Sequence, residues 1–244
     1  MNRRGLALAL SLVGALVLAG CDTFPGRPRP SAHDVLPTQV VAFDALYARH
    51  CAGCHGADGR LGAARPLNDP VYLGLVPRER LRDVIARGVQ GTSQPAFAQS
   101  AGGELTDAQV DALVEGLLAT WRRGEAPREA SVPPYSAPLG DAERGKAVFA
   151  AACATCHGAD GAGGPKGGSV VDPSYLALAS DQGLRTTVLA GRPDLGMPDW
   201  RAYVAGQPLN AQQISDVVAW LVAQRRPVPG RLATEAGPPR PTPR

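Results

Sequence analysis

The chain has 244 residues and carries 25 Lys and Arg against 22 Asp and Glu, so its formal net charge is only +3. The basic residues form no patch, which argues against a protein that binds nucleic acid through phosphate contacts. The only lysines are Lys146 and Lys166, so the chain also lacks a lysine-rich face that could steer a soluble partner electrostatically.

The N-terminus predicts export followed by lipid anchoring. Two arginines precede an apolar run from residue 6 to residue 18, which is shorter than the ~20 residues of a transmembrane helix. The run closes on Leu-Ala-Gly-Cys, which resembles the bacterial lipobox. This resemblance implies that residues 1–20 are a signal peptide and that Cys21 becomes an acylated N-terminus. An uncleaved anchor is the alternative, and both place the rest of the chain on the extracytoplasmic (periplasmic) face of a bacterial membrane.

Proline-rich segments divide the remaining chain. We interpret residues 21–38 as a lipid-anchored tether, residues 124–138 as an interdomain linker and residues 227–244 as a tail that is disordered or lies on the surface. The prolines of the linker are expected to stiffen it. Between these segments the sequence predicts two small domains, at residues 39–123 and 139–226.

Each predicted domain contains one Cys-X-X-Cys-His motif followed by Gly-Ala-Asp-Gly. Two thiols at this spacing can add to the two vinyl groups of one haem, and the adjacent histidine can then ligate the iron. Zinc would need four ligands where each motif offers three, and a redox dithiol would not need the histidine. The motifs, whose histidines are 102 residues apart, therefore predict two covalently bound c-type haems. Their residues are Cys51, Cys54 and His55, and Cys153, Cys156 and His157.

The segments around the motifs repeat as well. Each half is predicted to open on a short helix that leads into the motif and to end on an amphipathic helix, with a helix of period about 3.6 residues between them. Thr106 and Asn210 are the predicted N-caps of the last helices. The predicted helices are 42–51, 78–87 and 107–121 in the first half, and 145–153, 181–190 and 211–224 in the second.

This pattern resembles a tandem class I c-type cytochrome, a dihaem cytochrome c of the bacterial lipoprotein type. The resemblance implies an all-α fold of two cytochrome c-like domains, each built around one covalent haem that replaces core side chains. It also implies that the first and last helices of each domain cross beside the haem. In this family a methionine, usually followed by proline, ligates the iron opposite the histidine. Met197 precedes Pro198 and lies 40 residues after His157, which matches that position.

The first half departs from the family pattern. Gln94 occupies the equivalent place, 39 residues after His55, and no methionine is present in the mature first half. Four possibilities stay open: Gln94 ligates weakly or holds a water over the iron, the iron is five-coordinate, His33 folds back from the tether, or His50 serves. We favour Gln94 near the iron and disfavour His50, because it adjoins the fixed Cys51.

Two further expectations concern the loops. Pro66 and Pro165 are expected to place a backbone carbonyl that accepts a hydrogen bond from each proximal histidine, as in the resembled family. Arg65 and Arg87 are the candidates for a catalytic residue beside the first haem, but the sequence places neither of them.

The predicted function is single-electron transfer by a membrane-anchored dihaem cytochrome c, as a subunit or close partner of a respiratory or photosynthetic membrane complex. Its expected partners are redox proteins and the membrane, with no nucleic acid. The alternative is a dihaem enzyme, peroxidase-like or sulfur-oxidising, that uses the first haem, which lacks a methionine, as an open catalytic site.

Overall fold

The computed structural model describes residues 35–122 and 132–226. The predicted signal peptide, Cys21, His33 and the tail after residue 226 lie outside the described residues. The chain divides into two compact units, residues 1–39 and 40–244. The described residues of the first unit contain a 3-10 helix at Pro37–Gln39. Both predicted haem domains fall in the second unit and are called the first and second halves below.

The second unit is built from ten α-helices in the described residues, and its described part has no strand, so the all-α prediction is confirmed. The helices of the first half are α1 (Phe43–His50), α2 (Ala52–His55), α3 (Pro70–Leu75), α4 (Arg78–Arg87) and α5 (Asp107–Trp121). Those of the second half are α6 (Ala142–Ala152), α7 (Ala154–His157), α8 (Pro173–Leu178), α9 (Asp181–Ala190) and α10 (Ala211–Ala223). Short 3-10 helices follow at Gln99–Ala101 and Pro193–Leu195.

Side-chain caps fix where several helices begin. Thr106 and Asn210 both form capping boxes, in which the cap side chain accepts a hydrogen bond from the amide of the third helical residue and the side chain of that residue accepts one from the amide of the cap residue. Helix α6 begins at residue 142, three residues earlier than predicted, because the Asp141 carboxylate accepts a hydrogen bond from the Arg144 amide at 2.8 Å. This cap supplies an acceptor to one of the amides left free at a helix start.

The first and last helices of each half pack against each other, α1 on α5 and α6 on α10. Each crossing needs a glycine. A Cβ at Gly116 of α5 would overlap the ring of Phe43 on α1, whereas a Cβ at Gly145 of α6 would overlap the Asp216 carbonyl oxygen and lie 2.9 Å from the Cβ of Trp220 on α10. The glycine of the crossing therefore lies on the last helix in the first half and on the first helix in the second half.

The predicted apolar stripes of the last helices form the core. Every member is at most 7% exposed, and most are close to fully buried. The stripe residues are Val110, Leu113, Val114 and Leu117 on α5, and Ile214, Val217, Val218 and Leu221 on α10. Within residues 35–122 and 132–226, no helix is both long enough and apolar enough to cross a membrane.

Candidate haem sites

The two Cys-X-X-Cys-His motifs adopt the same backbone conformation. The first cysteine ends the opening helix with φ near −120°, and a four-residue helix, α2 or α7, then carries the second cysteine and the histidine. In each motif the amides of these two residues donate hydrogen bonds of 3.0 to 3.1 Å to the carbonyl of the first cysteine. This single turn gathers both thiols and the imidazole within five residues, which is the arrangement that covalent haem attachment needs.

The chemistry of the thiols argues against the other uses of these motifs. Burial, reinforced by the neighbouring cysteine, raises the pKa of the Cys51 and Cys153 thiols to about 11. A redox dithiol instead needs a thiolate stabilised near neutral pH. The four cysteines of the described chain are not joined in disulfides. In the same residues, no group of three or more His, Cys, Asp and Glu side chains is arranged to hold a bare metal ion.

Each proximal histidine is oriented by one backbone carbonyl. The Nδ1 atom of His55 donates to the Arg65 carbonyl oxygen at 2.6 Å, and Nδ1 of His157 donates to that of Gly168 at 2.8 Å. A proton held on Nδ1 leaves the Nε2 lone pair available to a metal.

The expected role of Pro66 is consistent with this geometry, because Arg65 directly precedes it. The expectation for Pro165 is wrong. A turn in which the Gly164 amide donates to the Gly167 carbonyl at 2.9 Å carries the chain past this proline, so Gly168 supplies the acceptor.

Gln94 and Met197 occupy equivalent places in the repeat. The glycine that ends the preceding helix, Gly88 or Gly191, has a φ of 68° or 70°. The amide after this glycine donates at 3.0 Å to the carbonyl of Gln94 in the first half and of Met197 in the second. Both candidate ligands are therefore held by the same backbone hydrogen bond at the same turn.

Gln94 also lies beside the proximal histidine. Burial lowers the pKa of His55, and hydrogen bonds to the Arg65 carbonyl and to the Gln94 side chain oppose that shift. The Gln94 side chain therefore lies close enough to this imidazole to affect its pKa. Burial favours the neutral imidazole, which is the form that ligates metals.

The remaining candidates have other contacts. The His50 side chain is 6% exposed, lies 3.4 Å from the Glu104 carboxylate and meets the Phe97 ring edge-on. The Arg87 side chain is 78% exposed and pairs with Asp83 at 3.4 Å.

Arg65 differs from Arg87 in being half-buried at the contact between the halves, with its Nη1 atom fully buried. Its Nη2 atom donates to Thr187 Oγ1 on α9 at 2.9 Å. Sequence reasoning named this residue without placing it, since its position depends on how the second half packs.

Further contacts join the halves close to both motifs. Helix α3 packs against α9, and the Leu61 amide donates to Asp194 Oδ2 at 3.3 Å. Leu61 has a φ of 60°. Among the described residues it is the only one other than glycine whose backbone lies in the left-handed region. Asp194, whose side chain is 1% exposed, pairs with Arg192 at 2.9 Å, and this contact lowers the pKa of Asp194.

The residues around the motifs fit a haem. A Cβ at Gly167 would lie 2.7 Å from the imidazole of His157, so glycine leaves this ring face free of side-chain bulk. The Nη1 atom of Arg65 is buried without a hydrogen-bond partner, as expected where a carboxylate such as a haem propionate completes the site. The cysteines of each motif would hold the porphyrin and the histidines would hold its iron.

Comparison with known proteins decides the family. The model of the family described as cytochrome c oxidase, cbb3-type, subunit III matches residues 39–115 and 140–221. The chain belongs to this family of c-type cytochromes. Membership implies covalently bound c-type haem, and the two matched segments confirm the tandem arrangement of cytochrome c-like halves.

Individual relatives match parts of the chain. It is 40% identical over 117 residues to the dihydro-heme d1 dehydrogenase of Pseudomonas aeruginosa, which covers 48% of this chain and 19% of that protein. It is 29% identical over 188 residues to the cbb3-type cytochrome c oxidase subunit CcoP of Azospirillum sp. strain B510, covering 68% and 57%. A solved structure of the dihydro-heme d1 dehydrogenase NirN in complex with DHE is 37% identical over 38% of this chain and 17% of that chain. Its TM-score of 0.27 is too low to establish a common overall fold.

Proposed function

We propose that the chain carries two haems, one in each half, and transfers single electrons outside the cytoplasm. The observation that carries this proposal is the repetition of one complete site within one compact unit. Both motifs form the same turn, and each proximal histidine donates from Nδ1 to a backbone carbonyl, at 2.6 and 2.8 Å. A single haem would leave one of these two sites without a purpose.

The two axial positions would give the haems different potentials. Haem iron supplies the one-electron chemistry, and the protein sets the potential through its ligands and their surroundings. Met197 would offer a thioether to the iron of His157, which favours the ferrous state. Gln94 would offer an amide, or hold a water, beside His55, and an oxygen ligand favours ferrous iron less. We therefore propose that electrons move from the first haem to the second.

The location follows from the N-terminus. Cys21 would be acylated after removal of residues 1–20, so that the tether at 21–38 joins the domains at 39–123 and 139–226 to the periplasmic face of a membrane. The CcoP relative is by name a subunit of a cbb3-type oxidase, which supports a membrane electron-transfer complex as partner. A Cys21→Ser variant should leave the membrane or stay unprocessed. If it remains anchored with a normal mature mass, the lipid proposal is wrong.

The test of dihaem electron transfer uses the full chain. A pyridine haemochrome assay and intact mass should give two haems per chain, and a reductive titration should take up two electrons. Respiratory membranes from the source organism should reoxidise the reduced protein in air. A matched variant, Cys153→Ser with Cys156→Ser, should keep one haem and accept one electron. One haem or none in the wild type would contradict the proposal.

The alternative of a catalytic first haem is motivated by Gln94, because an amide or a water is displaced more easily than a thioether. If the first iron is open, carbon monoxide should bind the reduced protein at one haem per chain, and peroxide should reoxidise it in repeated turnovers. Absence of both reactions excludes this alternative and leaves the electron carrier.

A further inference from the structure

Arg65 links three parts of the molecule. Its carbonyl oxygen accepts the proton of His55 Nδ1 at 2.6 Å, and its Nη2 donates to Thr187 Oγ1 of the second half at 2.9 Å. Its guanidinium carbon lies 4.9 Å from the centre of the Tyr72 ring. One residue of the first half thus orients the proximal histidine and contacts the second half.

One buried donor atom of the Arg65 guanidinium lacks a hydrogen-bond acceptor. Its Nη1 is buried and has no hydrogen-bond partner. Leaving a buried charged donor unpaired costs more than leaving a neutral one, so natural structures rarely do so. The lack of an acceptor is specific to Arg65. Arg192, in the same contact, forms a bidentate pair with Asp194 at 3.0 and 2.9 Å. One positive charge is left without a matching anion in this contact.

No side chain of the described residues supplies that anion. The carboxylate of Asp69 is buried and interacts with Arg65 electrostatically, and its Oδ1 caps α3 by accepting from the Val71 amide at 2.9 Å. Its Oδ2 is buried without a hydrogen-bond partner, as Nη1 of Arg65 is, and the two side chains form no ion pair within 4.0 Å. The other charged or titratable groups near Arg65 are hydroxyls, one cation and one imidazole, and none is an anion. They are His55 and Tyr72 from the first half, and Tyr135, Tyr175, Arg192 and Tyr203 from the second.

We propose that Arg65 binds the carboxylate of a haem propionate at the contact between the halves and so acts as a positioning residue. The inference rests on the proposed function, since it requires bound haem. A c-type haem carries two propionates, and a planar guanidinium matches a carboxylate with two donors. The propionate belongs to the first haem, whose histidine Arg65 orients, or to the second, towards whose half the side chain points.

The pairing has a consequence for electron transfer. The guanidinium keeps the propionate ionised and offsets its negative charge, which would otherwise favour ferric iron. Without the guanidinium, a buried carboxylate is easier to protonate because burial disfavours its charged form. Reduction by one electron is then accompanied by uptake of one proton on the carboxylate. The haem potential becomes lower at neutral pH and rises as the pH falls.

The test measures the potentials of both haems from pH 5 to pH 8 in the full-length holoprotein. Arg65→Gln should lower one potential at neutral pH and give it a pH dependence that the wild type lacks over this range. Arg87→Gln, at an exposed arginine, is the matched control and should change neither. A shift of the haem with the near-infrared methionine band assigns the propionate to the second haem, and a shift of the other assigns it to the first. Potentials in Arg65→Gln that match those of Arg87→Gln would overturn the inference.

A second variant keeps the inference testable if Arg65→Gln loses haem. Arg65→Lys keeps the charge but offers one donor in place of a fork, so the propionate stretching band in reduced-minus-oxidised infrared spectra should move while two haems remain. An unmoved band would also overturn the inference. The haem count, taken on every sample, tests the dihaem proposal separately from these shifts.

Discussion

The first and second halves share a frame but differ in the residue at the candidate ligand position, which is Gln94 in one and Met197 in the other. In both, a capped last helix crosses the first helix, and a glycine of φ near 70° positions the loop that carries the candidate ligand. The helix crossing is kept although its residues are exchanged. The first half packs Phe43 of its first helix against Gly116 of its last, whereas the second half packs Gly145 of its first helix against Trp220 of its last. The exchange of Gln94 for Met197 keeps the backbone but changes the chemistry. The two halves thus keep the packing of their first and last helices and differ at the candidate ligand position.

The largest expected effect on stability comes from disrupting the helix crossing of the second half. Gly145→Phe places an aromatic ring where α10 already carries Trp220, and we expect a loss of about 3 kcal/mol in unfolding free energy because the crossing is overpacked. Denaturant titration followed through haem absorbance measures it.

The comparison between the halves also suggests a second substitution that should restore stability to Gly145→Phe. Adding Trp220→Gly to Gly145→Phe recreates the pairing of the first half and should recover part of the loss, because the overlap of the new Cβ with the Asp216 carbonyl oxygen remains. Gly53→Ala, at a helical glycine whose Cβ would meet nothing within 4 Å, is the control and should not destabilise. A double variant no better than Gly145→Phe would show that the two crossings are not equivalent.

A smaller effect concerns a carboxylate present in one half only. Asp216, where the first half has Ala112, accepts hydrogen bonds from the Asp141 amide at 2.7 Å and from Arg144 at 2.9 Å. These bonds, that of Arg144 foremost, lower the pKa of Asp216 from 3.8 to about 2. Its contribution to stability is therefore present above pH 3.8 and is lost as the pH falls towards 2.

Asp216→Asn should cost about 1 to 2 kcal/mol at neutral pH and remove this acid-dependent component of unfolding. Thermal unfolding of wild type and variant between pH 2 and pH 7 measures both effects. Asp111→Asn, at a more exposed carboxylate of α5, is the control and should cost less. Parallel pH profiles for wild type and Asp216→Asn would contradict the assignment.

The smallest effect makes the first half resemble the second at one atom. Tyr47 donates from its hydroxyl to the Gly56 carbonyl at 2.8 Å, whereas Phe149 is its counterpart without a hydroxyl. Tyr47→Phe should lower the unfolding free energy by about 1 kcal/mol, measured by denaturant titration. Phe149→Tyr is the reciprocal control, and an unchanged unfolding free energy in Tyr47→Phe would show that the bond to Gly56 contributes nothing.

Much of the frame was predictable because it is encoded locally. The helices at 78–87, 107–121 and 181–190 begin and end where periodicity and caps place them. The motifs are contiguous, so their spacing alone indicates the chemistry. Family membership confirms the tandem cytochrome assignment, while Cys21, the domain boundaries, the axial ligands and the number of haems remain predictions.

What the sequence could not give depends on contacts between distant segments. Arg65 acquires its position only when Thr187, 122 residues away, packs against it. The acceptor for His157 was misplaced because a turn closed by the Gly164 amide and the Gly167 carbonyl displaces the loop. Neither arrangement leaves a periodic or spacing signal.

The central claim is that the halves differ at the iron because Gln94 replaces methionine. Its most direct test is a potentiometric titration, with near-infrared spectra, of wild type, Gln94→Met, Met197→Gln and His33→Ala. The wild type should show two potentials and one methionine band. Gln94→Met should raise the lower potential and double the band, while Met197→Gln should abolish the band and lower the higher potential. If Gln94→Met changes nothing and only His33→Ala alters the first haem, the ligand is the tether histidine and the claim is wrong.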